Sequence, residues 1–130
     1  MILGTFSHYL HSRLNLMKML INLLASTLGS RSLNIWHCQL ENEASSLNHH
    51  LFQSHLSDSS QCACGGAIEN NFHYFYVCPL FIQLFISLRK FQDILKLDIL
   101  LKGSPILTIE ENTEIFDGVH HFITGSRRFT

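Results

Sequence analysis

Along residues 6–28 the apolar positions Phe6, Leu10, Leu14, Met17, Leu20, Leu24 and Leu28 recur at steps of three and four. That spacing is one face of an amphipathic helix, and it predicts a helix closed near Gly29. A second pattern of the same period runs through Leu33, Trp36, Leu40, Ala44, Leu47 and Leu51. It predicts a helix that breaks at Ser45-Ser46, where paired hydroxyls compete for backbone hydrogen bonds, and restarts through Leu47 to Leu56. Residues 58–66, Asp-Ser-Ser-Gln-Cys-Ala-Cys-Gly-Gly, read as a loop by composition. Residues 69–77 are short and aromatic, and Phe72 to Val77 reads as a helical turn. Pro79 suits the first position of a following helix with Phe81, Leu84, Phe85, Leu88 and Phe91 as its apolar stripe. The last helix has the clearest start: Thr108 with Glu111 three residues on forms a capping box. Ile115, Phe116, Val119, Phe122 and Ile123 follow at helical spacing, with a stop expected at Gly125. The fold class implied is mainly α, a small helical domain with one irregular, zinc-knuckle-like loop, divided into an N-terminal amphipathic helix (1–30) and a cysteine-bearing helical part (31–130).

The chain has 130 residues, 46% of them apolar and 15% charged, which fits one small folded unit and excludes intrinsic disorder. Nine Lys plus Arg stand against ten Asp plus Glu, a formal charge of −1, so the strongly basic footprint of many nucleic-acid binders is missing. The most apolar run, residues 17–28, is interrupted by Lys18 and Asn22 and is shorter than the roughly 20 residues a membrane span requires. The stretch before it is too long for the basic start of a secretion signal. The expected setting is intracellular, nuclear or cytoplasmic, with reduced thiols, and there four cysteines point to metal rather than to disulfides.

One constellation carries chemistry: Cys62-x-Cys64, then His73, then Cys78. Tetrahedral Zn²⁺ takes four soft or borderline donors, and three thiolates with one imidazole supply them. The two glycines after Cys64 free backbone amides to turn toward the sulfurs. The alternative is three buried cysteines and a hydrogen-bonded histidine in an aromatic core. Cys38, beside Trp36 in the second helix, reads as a core thiol. The other histidines read as surface or half-buried residues. His49-His50 and His120-His121 are neighbours that point about 100° apart on a helix and so do not pair as ligands; His55 is a reserve ligand.

The succession Cys62-x-Cys64-Gly, Glu69, His73-Tyr-Phe-Tyr-Val-Cys78-Pro79-Leu80, preceded by Ser46-Leu47-Asn48-His49-His50-Leu51-Phe52, resembles the zinc-binding C-terminal tail of non-long-terminal-repeat retrotransposon reverse transcriptases. Leu100-Leu101-Lys102-Gly103-Ser104 and the later Phe116, Val119, Phe122, Ile123, Arg127, Arg128 and Phe129 are similar to that tail as well. The resemblance spans about residues 31–130. It implies Zn²⁺ on Cys62, Cys64, His73 and Cys78, and a non-catalytic module that helps hold template RNA or target DNA beside the polymerase domain of the same element. Arg31, Arg89, Lys90, Lys96, Lys102, Arg127 and Arg128 are the candidate phosphate contacts, with Tyr74 or Tyr76 to stack a base. Two departures count. No Asp-Asp pair of a polymerase centre occurs, so no catalytic residue is expected. Gln39-Leu40-Glu41-Asn42-Glu43 stands where members of the family carry arginines. The alternatives are a zinc-stapled structural or protein-interaction domain, or a decayed element fragment without selected function.

Overall fold

A computed structural model describes residues 15–21, 23–24, 29–84 and 97–130. Residues 15–21 and 23–24 are helical; then come α1 (Arg31–Glu41), α2 (Asn48–Gln53), a π-helical turn (His73–Val77), α3 (Leu97–Lys102) and α4 (Ile109–Ser126). Among the described residues the isolated antiparallel bridge between Gln61 and Ile68 is the β pairing present. The molecule is mainly helical, and no described helix is long and apolar enough to cross a membrane.

Several helix boundaries have a local cause. Ser30 caps α1, its hydroxyl accepting from the Leu33 amide at 3.2 Å. The helix then ends at Asn42, earlier than the serine pair. The Asn42 side chain donates to the Cys38 carbonyl at 2.8 Å, and Glu43 turns into the left-handed region at φ 55°. Ser45 instead organises the restart, its hydroxyl meeting His50 Nδ1 at 2.6 Å and accepting from the Leu47 amide at 3.1 Å. α4 opens on the expected capping box of Thr108 and Glu111. It runs one residue past Gly125, and Arg127, not a glycine, takes the left-handed cap position at φ 53°. The helix expected after Pro79 begins as a turn and a short 3₁₀ segment at residues 82–84; its remaining positions lie outside the described residues.

α1, α3 and α4 pack pairwise around one core of Leu40, Leu100, Leu101, Ile115, Phe116, Val119, Phe122 and Ile123. Tyr74 and Phe75 from the π turn join it, and so does Ile21. The apolar stripe of α4 is therefore buried as its periodicity predicts. Two polar devices lie inside this core. Asn112 is fully buried and holds the α3–α4 turn, its Oδ1 accepting from the Ser104 amide (2.8 Å) and its Nδ2 donating to the carbonyls of Ser104 (3.0 Å) and Thr108 (2.9 Å). His37 on α1 reaches both other helices: its Nε2 donates to the Leu101 carbonyl at 2.7 Å, and its Nδ1 lies 3.1 Å from His120 Nε2. A carbonyl only accepts, so His37 carries its proton on Nε2, and a neutral ring then receives the His120 Nε2–H at Nδ1.

Two expectations are corrected here. His37, His50 and His120 are fully buried rather than surface or half-buried, because each finds a hydrogen-bond partner inside. Cys38 is exposed, on the outer face of α1, and is not a core thiol. α3 has no counterpart in the sequence pattern, since six residues are too few to display a helical period.

Candidate metal centre

The first two donors sit on a tight turn. The Cys62 amide donates to the Ala67 carbonyl (2.8 Å) and the Gly65 amide to the Cys62 carbonyl (2.9 Å), closing the loop within six residues. Gly65 lies at φ 80°, the left-handed region where a side chain is strained. The turn directs the amides of Gly66 and Ala67 at the Cys64 sulfur, and the Gly66 hydrogen bond is the main cause holding that thiol below its ordinary pKa. The glycines thus act as their position after Cys64 predicts.

The second pair sits on the π turn. On an α-helix, five residues rotate the chain by about 500°, which would leave the side chains of His73 and Cys78 roughly 140° apart. Here the Cys78 amide donates to the His73 carbonyl five residues back, at 2.7 Å. That wider ring brings i and i+5 nearly into line along the axis, so both donors face the knuckle. Asn70 starts the turn, its Oδ1 accepting from the His73 amide at 2.8 Å.

Together these elements bring the three sulfurs and one imidazole nitrogen within 4.8 Å of one another. The Cys62 and Cys78 sulfurs are 3.7 Å apart, and the Cys64 sulfur is 3.4 Å from His73 Nε2. A tetrahedral zinc, with Zn–S of about 2.3 Å and Zn–N of about 2.0–2.1 Å, requires about 3.8 Å between two sulfurs and about 3.6 Å between sulfur and nitrogen. The donor set fits. All four cysteines are free thiols, so the sulfurs are available. Cys62, His73 and Cys78 are buried and Cys64 is half-buried. Burial pushes the Cys62 thiol up to about 12, and the neighbouring Cys78 sulfur acts in the same sense. A divalent cation among the donors would act oppositely and favour the thiolates. His73 Nδ1 is buried without a partner, so this ring lacks the outer hydrogen bond that orients most metal-bound imidazoles.

Behind the donors lies a buried ion pair. Glu69 accepts Arg128 Nε at Oε2 (2.9 Å), Arg128 Nη2 at Oε1 (2.6 Å) and the Asn48 amide at Oε1 (2.7 Å). Its Oε2 is also 3.8 Å from the Cys62 sulfur. Burial pushes the Glu69 carboxyl up, but the hydrogen bonds from Arg128 and Asn48 outweigh it and hold the group below the usual carboxylate range. Arg128 additionally donates to the Ser46 carbonyl at 2.9 Å. One guanidinium therefore fastens the chain after α4 to the metal loop and to the entry of α2.

This changes the set of candidate phosphate contacts. Arg128 is committed to Glu69 and Ser46. Arg31, Lys102 and Arg127 are exposed, whereas Arg89, Lys90 and Lys96 lie outside the described residues. Tyr74 is not available to stack a base. It is buried among Phe75, Phe81, Phe122 and Phe129, with its hydroxyl 2.6 Å from the Ser126 hydroxyl. Tyr76 is half-buried, its ring 5.5 Å from that of exposed Phe72. His55 is exposed and takes no part in the cluster. The sequence pattern located the four donors but not the Glu69–Arg128 pair, whose members are 59 positions apart and give no local signal. No family model, curated protein or solved structure matches the chain.

Proposed function

We infer that the chain is a non-catalytic module built around one structural zinc ion held by Cys62, Cys64, His73 and Cys78. The observation that carries this reading is the convergence of three sulfurs and one nitrogen within 4.8 Å, with the Cys62–Cys78 and Cys64–His73 pairs at 3.7 and 3.4 Å close to the edges of a zinc tetrahedron. Thiolate-rich sets select zinc over harder cations. Four protein donors close the coordination sphere, and the nearest carboxylate is already tied to Arg128, so the site has neither an open position nor a free base. The ion joins a loop to the turn that carries Tyr74 and Phe75 into the core, and it contributes folding free energy. Native mass spectrometry of the full chain tests this: one added zinc is expected, lost on chelation and in His73→Ala and Cys78→Ala. Absence of the increment, or its persistence in both variants, would overturn the reading.

The geometry favours a stapled protein-interaction module, since Arg128 and Tyr74 both serve the interior. A nucleic-acid role, as the tail of a retrotransposon reverse transcriptase, is supported by the motif resemblance and by exposed Arg31, Lys102 and Arg127. It predicts weak, salt-sensitive binding of single-stranded RNA by the zinc-loaded chain, reduced in Arg31→Ala and Arg127→Ala. Flat fluorescence anisotropy at low salt would eliminate it.

A further inference from the structure

The four donors of the metal centre differ in access. Cys62, His73 and Cys78 are 4%, 4% and 1% exposed, whereas Cys64 is half-buried on a loop whose neighbours Ala63, Gly65, Gly66 and Ala67 are exposed. Gly66 lies beside the Cys64 sulfur: a Cβ built there would sit 3.7 Å from Sγ, an ordinary contact distance, and Gly66 is outside the left-handed region. The backbone would therefore accept a side chain at this position, and glycine leaves the sulfur uncovered on that side. Of the four donors, Cys64 is the one that a small solute reaches. Two further sulfurs lie within 4.8 Å of it. Cys62 is two positions away in the same tight turn, where a bond to Cys64 would close a strained ring. Cys78 belongs to the π turn and carries no such constraint.

We propose that Cys64 is the oxidation site of this centre, with a peroxide as its substrate class and Cys78 as the resolving thiol; this rests on the zinc reading above. The Cys64 thiolate attacks one oxygen of hydrogen peroxide, the O–O bond breaks and hydroxide leaves, which makes a sulfenic acid at Cys64. The Cys78 thiolate then attacks the Cys64 sulfur, the S–O bond breaks and a second hydroxide leaves, which makes a Cys64–Cys78 disulfide. Two thiolates give up two electrons, one peroxide accepts them, and two protons from the solvent turn both hydroxides into water. Cys62 and His73 are then the remaining donors, half of a closed zinc site, so oxidation releases the ion. Glu69 is not free to replace a lost sulfur, because Arg128 holds both of its carboxylate oxygens. Cys38 is exposed too, but it lies outside the donor cluster.

The test uses the full chain with Cys38→Ser, so that the outer thiol does not report, its zinc content first measured by native mass spectrometry. Hydrogen peroxide is added, metal release is followed with a chromogenic chelator, and the thiols are mapped by mass spectrometry at timed intervals. Dimedone, which traps sulfenic acids, is expected to mark Cys64 first. Without it, zinc release should keep pace with a Cys64–Cys78 disulfide, and a thiol reductant should restore zinc binding. Gly66→Leu keeps the backbone amide and all four donors but covers the Cys64 sulfur, so release should be roughly fivefold slower or more. Zinc that stays bound under peroxide, marking of Cys62 or Cys78 before Cys64, a disulfide that omits Cys64, or equal release in Gly66→Leu would overturn the proposal and leave the zinc reading standing. A chain without zinc before oxidation removes both. The order of trapping is read without any substitution at the site, so it decides even where Gly66→Leu fails to load metal.

Discussion

Asn112 shows how much a single polar side chain decides in this fold. Fully buried, it satisfies both the amide and the carbonyl of Ser104 and so sets the path from α3 into α4. Asn112→Ala would strand these groups in the interior, and we expect a loss of roughly 2–3 kcal/mol. Urea unfolding at unchanged slope is the appropriate readout. Arg128 is the second such residue. Its removal leaves the Glu69 carboxylate buried and uncompensated beside Cys62. Arg128→Ala should destabilise by roughly 3 kcal/mol, the low end for a buried pair because a quarter of the guanidinium side chain remains exposed. Arg128→Lys should recover only part of this, since an ammonium cannot reproduce the two-pronged contact with Glu69. Full stability in Arg128→Ala would show that the pair is idle.

At the scale of elements, the His37–His120 pair joins three helices and makes their packing dependent on pH. Burial lowers the pKa of both rings, and for His120 the neighbouring His37 adds to this, taking it to about 4. An unfolded histidine titrates at about 6.5. Between these values the unfolded chain protonates His120 while the folded chain does not, so the His120 contribution to stability falls as pH drops from about 6.5 to 4 and is lost below, with His37 acting in the same direction. Above 6.5 both states are neutral and the effect vanishes. His120→Gln should flatten the slope in that window, and equal slopes in variant and parent would refute the assignment. Why one helix was legible in the sequence and another was not follows from the same contacts. α4 declares itself within four residues through Thr108 and Glu111, and its stripe from Ile115 to Ile123 spans about two and a half turns. α3 offers six residues, and its burial of Leu100 and Leu101 depends on partners in α1 and α4. The buried state of His37 and His120 depends on a contact across 83 positions, which no local pattern encodes. The π turn has the same composition as an ordinary helical turn; its backbone hydrogen bonding, as from the Cys78 amide to the His73 carbonyl, distinguishes it.

For the molecule as a whole, the cysteine-bearing loop, the π turn and the residues after α4 form one connected unit. Tyr74 meets Ser126, Arg128 meets Glu69, and Phe129 stacks on Trp36 with centroids 6.2 Å apart. The four donors were legible because their identity and spacing are themselves the signal, whereas the support around them is assembled from distant positions. On the proposed zinc reading, chelation should therefore loosen the end of α4 as well as the loop, seen as faster amide exchange at residues 122–130. X-ray absorption at the zinc edge of the purified chain addresses the donor set directly. Three sulfurs at about 2.3 Å and one nitrogen at about 2.0–2.1 Å are expected. A shell dominated by oxygen and nitrogen, or one unchanged when Cys62 and Cys78 are both replaced by Ser, would contradict the account.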